Sequence, residues 1–321
     1  MKILWRKWKN HEGPLIRGSC PYAPMAPWGP WTRILGVVAA CEGKHDTVVM
    51  YDGTGVTWGF GQWTFTSGRL QRLLQSFKSV SYVGFEDDQG DHEDDLLSNL
   101  FDELGVNCVL GDFDLRIKEG RLRYLSQTIS GASASYALNP RTEKKLINDI
   151  CLGKKKYPKA TALQKKHAKS LARAFSQWGR EIDVQQAQIQ FAKQELKRAV
   201  HVERKALGGI SIRNLLDEGV GLSGDEYWDS PVPALFFNLW QNSPKGAYRF
   251  FINANKEAKR KGVINWPDYL DLLWSRLNRS AYANWGWNSR RYKEGKGTPR
   301  IKRIRPAIKA YYDIDLPYEK P

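Results

Sequence analysis

Apolar residues recur at spacings of three and four along most of this chain, the signature of helices with a buried face. Ile34, Leu35, Val37, Val38 and Cys41 crowd one broad face of a helix. Thr32 is a natural N-cap for it, and Gly43 marks its expected end. The period then shortens. Thr47–Tyr51 and Thr57–Phe60 read as two short strands, with Asp52-Gly53-Thr54-Gly55 as the turn between them. Helical spacing resumes from Thr66 to Phe77, and again at Leu96, Leu97, Leu100, Phe101 and Leu104. Residues 160–205 form the longest helical stretch. Ile189, Ala192, Leu196 and Ala199 mark its apolar stripe. It reads as a central helix or as a protruding hairpin arm, closed by Gly208-Gly209. Two shorter helices are expected over residues 227–252, broken at Pro244, and one more from Asn265 to Arg279. Strands are few, so the predicted fold is mainly α (α+β), helical with a small β-hairpin.

Breakers and charge runs divide the chain. Four prolines fall between Ser19 and Trp31, and residues 1–30 read as an irregular arm. A helical domain is expected over 31–284, carrying a long helical insert at about 85–225. A basic extension follows from 285 to 321. The run EDDQGDHEDD over residues 86–95 carries seven acidic groups, but its glycine and final glutamate do not fit a calcium loop. It reads as a solvated acidic segment.

Composition then narrows the partners. The 321 residues are 41% hydrophobic, ample for a core, and 12% aromatic. The formal charge of +16 favours polyanions: nucleic acid, acidic lipid or an anionic cell wall. Cys20, Cys41, Cys108 and Cys151 form no CxxC pair and no zinc-like spacing with the five histidines. They are compatible with one or two disulfides or with buried thiols. No stretch reaches transmembrane length, and the basic, aromatic start MKILWRKWKN is not a Sec signal.

One residue stands out against this pattern. Glu42 follows the apolar run and precedes the Gly-rich aromatic stretch that ends at Gln62 and Trp63. Cleavage of a glycosidic bond needs a carboxylic acid that keeps its proton until the leaving oxygen takes it. A glutamate at a helix C-terminus, among apolar and aromatic neighbours, is placed for that task by the helix dipole and by desolvation. A second carboxylate usually stabilises the cation or activates water. Asp52, ten residues on and beyond the first strand, is the candidate. Asp46 is nearer but suits the turn.

Glu42 followed by a small β element and by Gly59-Phe60-Gly61-Gln62 resembles the lysozyme-like superfamily. That group includes lytic transglycosylases, goose-type and phage lysozymes, and chitosanases. The resemblance covers residues 32–75. Gln241-Asn242-Ser243-Pro244 is a loose counterpart of a late Asn-Ala-Gly-Pro segment in transglycosylases. It implies a peptidoglycan-cleaving glycosidase, a muramidase, with Glu42 as general acid and no cofactor or metal. Gln62 and Asn242 would meet substrate or the groove backbone. The chain departs from the pattern in having Glu42-Gly43 where Glu-Ser is usual. For the transglycosylase tyrosine, Tyr248 and Tyr227 are the available candidates.

Aromatics suit a glycan cleft because a sugar ring offers an apolar C–H face. Tyr51, Trp58 and Trp63 are the candidates, although alternation sets Trp58 and Phe60 on one strand face that could equally be core. Asn242 could be no more than the residue before a turn. A Walker A run, a Rossmann fingerprint, a nucleophile elbow and an HExxH motif are all absent from the sequence. From 290 to 309, nine cations face a single anion, Glu294, beside Trp285 and Trp287. This stripe could dock an anionic wall polymer or bind nucleic acid through phosphates. The alternatives to a muramidase are thus a transglycosylase or chitosanase of the same superfamily, or a nucleic-acid-binding or virion or secretion-machine structural protein. A wall substrate implies a secreted or periplasmic site of action; no Sec signal is visible, which leaves phage delivery or a leader absent from this sequence as the routes.

Overall fold

A computed structural model of the chain describes residues 2–8, 11–22, 29–51, 56–64, 69–76, 108–110, 115–117, 162–203, 209, 211–279 and 300–316. In chain order the elements are β1 (Leu4–Trp8), β2 (His11–Ile16), α1 (Pro30–Glu42), β3 (Val48–Val49), β4 (Thr57–Trp58), β5 (Trp63–Thr64) and α2 (Arg69–Ser76). There follow β6 (Cys108–Leu110), β7 (Leu115–Ile117), α3 (Ala162–Trp178), α4 (Ile182–His201) and α5 (Ile212–Val220). The last are α6 (Gly224–Asp229), α7 (Val232–Asn242), α8 (Pro244–Lys261), α9 (Trp266–Asn278) and α10 (Arg300–Tyr312). The architecture is mainly α with a small antiparallel sheet. The chain divides into two compact units, residues 1–21 with 43–191, and residues 22–42 with 192–321.

The first unit is built on a five-stranded sheet of order β1-β2-β3-β4-β5, antiparallel throughout. Two of those strands lie in the segment expected to be an irregular arm, and that expectation is corrected. The four prolines that argued for irregularity all come after β2. In β1 and β2 the pairing runs from Leu4 opposite Leu15 to Trp8 opposite His11. Pro14, unable to donate, still accepts from the Met50 amide at 3.0 Å through its carbonyl. The β element is therefore larger than a hairpin.

Its core is aromatic. Trp58 stacks on Trp178 at 5.1 Å and 7° and meets Phe175 at 5.2 Å. Trp63 packs edge-on against Phe60 and Phe191. Helices α3 and α4, assigned from the sequence to an insert, thus supply the residues that bury the sheet. Deleting them would expose both tryptophans, so residues 162–191 belong to this core. A separate two-stranded sheet pairs β6 with β7. The acidic run 86–95 and the helix expected around Leu96–Leu104 lie outside the described residues.

The second unit is helical. Helix α1 is apolar on almost every side, and Ile34, Leu35, Val37, Val38, Ala39 and Cys41 are buried. Such a helix needs partners all round. It packs on α6, α7 and α10. Helix α8 in turn packs on α5, α7 and α9. Ser211, Ser243 and Asn265 cap α5, α8 and α9 by accepting a backbone N–H with the side-chain oxygen. Pro244 is the first residue of α8, so the expected break falls between Asn242 and Pro244.

The C-terminal region was expected to be a basic extension, and over residues 300–312 this too is corrected. Helix α10 buries Ile304, Ala307 and Ile308. The Arg303 guanidinium donates to the Cys41 carbonyl, and Arg305 Nε donates to the Leu316 carbonyl at 2.6 Å. Charge count concealed this, because Ile304 and Ile308 sit four apart among the cations. Arg290, Arg291, Lys293 and Lys296 lie outside the described residues. Among the described residues no helix is long and apolar enough to cross a membrane.

Candidate active site

Glu42 is the last residue of α1, in the second unit, and is half-buried. Asn242 is the last residue of α7, in the same unit. Its Nδ2 donates to Glu42 Oε1 at 2.9 Å. The same nitrogen reaches the Asn238 carbonyl one turn back, at 3.4 Å. A carbonyl can only accept, so both contacts require the amide nitrogen on this side. The two asparagines stand four residues apart and share a face of α7, which also explains why Asn242 is held in place. The α1 terminus is closed as well. Arg303 takes up the Cys41 carbonyl, so the negative end of the helix dipole meets a guanidinium.

Gln62 belongs to the first unit. Gly59-Phe60-Gly61-Gln62 is the turn between β4 and β5, closed by the Gln62 amide on the Gly59 carbonyl at 3.2 Å. Gly59 has φ +76° and Gln62 has φ 49°, both left-handed. The Trp63 ring lies over the turn so closely that a Cβ on Gly61 would collide with it. The glycine pattern of this motif is thus demanded by the turn and by Trp63. Gln62 Nε2 donates to the Gly59 carbonyl at 2.9 Å, which makes it a backbone partner within its own turn. It also packs on Gly43, where a Cβ would stand 3.0 Å from the amide nitrogen.

Trp58 and Trp63 were expected to line a cleft. Both have no exposed surface. They are core residues, and the assignment is corrected. Strand alternation placed Trp58 with Phe60, and the buried face is the one that both occupy. Tyr51 is half-buried. Asp52 lies outside the described residues.

Asp46 has a different occupation. Its buried carboxylate accepts from Ser19 N at 2.7 and 2.9 Å, Ser19 Oγ at 3.1 Å and Cys20 N at 2.9 Å. Arg180 Nε adds an ion pair at 3.1 Å. A carboxylate so engaged ties the segment after β2 to the turn between α3 and α4. Next to it, His45 is wholly buried. Its Nδ1 stands 3.0 Å from Gln188 Oε1, while Gln188 Nε2 donates to the His45 carbonyl. Burial pulls the imidazole down to about 4, against the opposing effects of Gln188 and Asp46. Burial likewise pushes the half-buried Cys20 thiol up, with the Asp46 charge adding to it.

The two tyrosine candidates have other partners. Tyr248 donates to the Ala199 carbonyl at 2.7 Å. Tyr227 is fully buried beneath the Arg213 guanidinium, 4.3 Å from its ring centre, and burial raises its phenol. Among the described residues no cluster of three His, Cys, Asp or Glu side chains could hold a metal ion. Sequence reasoning missed Arg303, Asn238 and the Asp46–Arg180 pair. Only Asn238 left a signal, its i, i+4 spacing to Asn242. Compared with known proteins, the chain matches no family model, no curated protein and no solved structure.

Proposed function

We propose that this chain cleaves the β-1,4-linked glycan strands of peptidoglycan, with Glu42 as the general acid. The observation that carries the reading is the 2.9 Å bond from Asn242 Nδ2 to Glu42 Oε1. An amide N–H donates, so Oε1 must accept. In the carboxylic acid the proton then resides on Oε2, which is the arrangement a general acid needs. Protonation of the glycosidic oxygen breaks its bond to the anomeric carbon, and the cation left behind is captured by an oxygen nucleophile. Glu42, now a carboxylate, accepts the proton of that nucleophile.

Asp46 is occupied by Ser19, Cys20 and Arg180, and Asp52 lies outside the described residues; a mechanism in which Glu42 acts first as acid and then as base needs no second carboxylate. If water is the nucleophile the product has a reducing end. If the sugar's own C6 hydroxyl attacks, an anhydro ring forms, as in a lytic transglycosylase. Side-by-side digestion of acetylated sacculi, deacetylated sacculi and chitosan, with mass spectrometry of the products, tests the reading. Release of muropeptides from acetylated sacculi is expected, and anhydro ends would assign transglycosylation. Activity on chitosan alone would overturn the wall assignment.

A further inference from the structure

A second cluster in the helical unit lies away from the Glu42–Asn242 pair in its residues and in its chemistry. Trp31, near the start of α1, and Trp228, on α6, meet at 4.6 Å with their rings tilted by 41°. Lys193 and Lys197 of α4 place their ammonium groups 5.4 and 5.5 Å from the Trp31 ring centre. His201, one turn further along the same face, is 6.1 Å from Trp228. Trp31 is buried, Trp228 and Lys193 are half-buried, and Lys197 and His201 are exposed. The surface therefore presents part of one indole beside three basic groups.

The basic groups crowd one another. Lys193 is pulled down by burial and by Lys197. His201 is pulled down by burial, Arg213 and Lys197. The acids of α6 are Asp225, Glu226 and Asp229, all exposed. Asp229, beside Trp228, is engaged by Arg33 at 2.5 Å. Like charges held together in this way are relieved by an incoming anion.

We infer that the Trp31–Trp228 pair and the Lys193–Lys197–His201 stripe form a subsite for a carboxylate-bearing saccharide. The inference rests on the peptidoglycan reading, whose muramic acid residues carry a lactyl carboxyl. The indole covers the C–H face of a sugar ring while an ammonium meets its carboxylate. A single half-buried indole separates this ligand from nucleic acid, because it is no platform for successive stacked bases. One sugar ring with its carboxylate matches one indole flanked by ammonium groups better.

The test is calorimetric titration of glycan strands stripped of peptides into the full chain carrying Glu42→Gln, which removes turnover. The same strands with their carboxyls amidated and a single-stranded oligonucleotide serve as comparisons. Lys197→Gln and Trp228→Ala together should weaken strand binding about tenfold, and amidated strands should bind the parent as weakly. Lys197→Gln alone, at an exposed position, should give part of the loss with an unchanged melting temperature. Equal binding of native and amidated strands, or no loss in Lys197→Gln, would overturn the subsite. So would tighter oligonucleotide binding that the same variants abolish. Cleavage by the unmutated chain is scored separately. Carboxyl-dependent binding without cleavage would remove the proposed activity and support the subsite, whereas cleavage with unchanged Lys197→Gln binding would remove the subsite alone.

Discussion

Removing the Asp46 carboxylate should unfold the sheet unit far more readily than it disturbs any chemistry at Glu42. Ser19 N, Ser19 Oγ and Cys20 N all donate to Asp46, and Arg180 pairs with it. Hydrogen bonds to a charged group contribute about 1.5–3 kcal/mol each, less when their partners can turn to water. Ser19 is exposed and the Arg180 side chain is 40% exposed, so both recover solvation when the carboxylate is gone. The cost of Asp46→Ala should therefore stay near ~3 kcal/mol, and that of Asp46→Asn near ~1–2 kcal/mol, since the amide keeps one acceptor. With a denaturant slope of about 3 kcal/mol/M, Asp46→Ala should lower the urea midpoint by roughly 1 M. Hydrogen exchange should speed up selectively in β3 and β4. Below the unfolding range, sacculus cleavage should persist in both variants. Full stability of Asp46→Ala with complete loss of cleavage would refute this reasoning and make Asp46 the second catalytic carboxylate.

Other perturbations follow from the same contacts. His45 is held neutral by burial, its folded value of about 4 lying below the ordinary 6.5. The unfolded chain then binds the extra proton first, so stability is complete above 6.5 and falls as pH drops toward 4, by about 3 kcal/mol in all. Urea midpoints measured from pH 7 to pH 4 check this, and His45→Gln should flatten the dependence. Asn242→Ala removes a bond to a carboxyl group and should slow strand cleavage about 10- to 100-fold with the melting temperature little changed. Wild-type rates in Asn242→Ala would separate this asparagine from the chemistry. Arg303→Met strips the Cys41 carbonyl of its donor and should destabilise the α1–α10 packing by about 1–3 kcal/mol, while Lys302→Gln, at an exposed position, should change the melting temperature little.

The helices were legible wherever a local period sufficed. The helix expected from Asn265 to Arg279 runs from Trp266 to Asn278, with those two residues as its caps. The Ser243-Pro244 break marks the start of α8 for a reason that the proline alone dictates. What the sequence concealed depends on distant partners. Trp58 reads as a cleft residue until Trp178, 120 positions on, is stacked against it. Arg303 reads as one more cation of a tail until its guanidinium meets the end of α1. Pro21, Pro24, Pro27 and Pro30 drew the first thirty residues toward irregularity, although Leu4–Trp8 and His11–Ile16 precede them and pair in register. At the candidate site, Glu42 was legible from its isolation after an apolar run. Asn242 was legible from a four-residue segment, but its 2.9 Å bond to Glu42 spans 200 residues and needed the fold.

The most direct test of the central claim is the clearing of isolated sacculi by Glu42→Gln beside the unmutated chain. The substitution keeps the size of the side chain and still offers an oxygen to Asn242, but the amide has no acidic proton to give to a glycosidic oxygen. The account predicts that the unmutated chain releases soluble muropeptides and that Glu42→Gln releases none, with both showing the same circular dichroism and melting temperature. Equal clearing by the two proteins would contradict it.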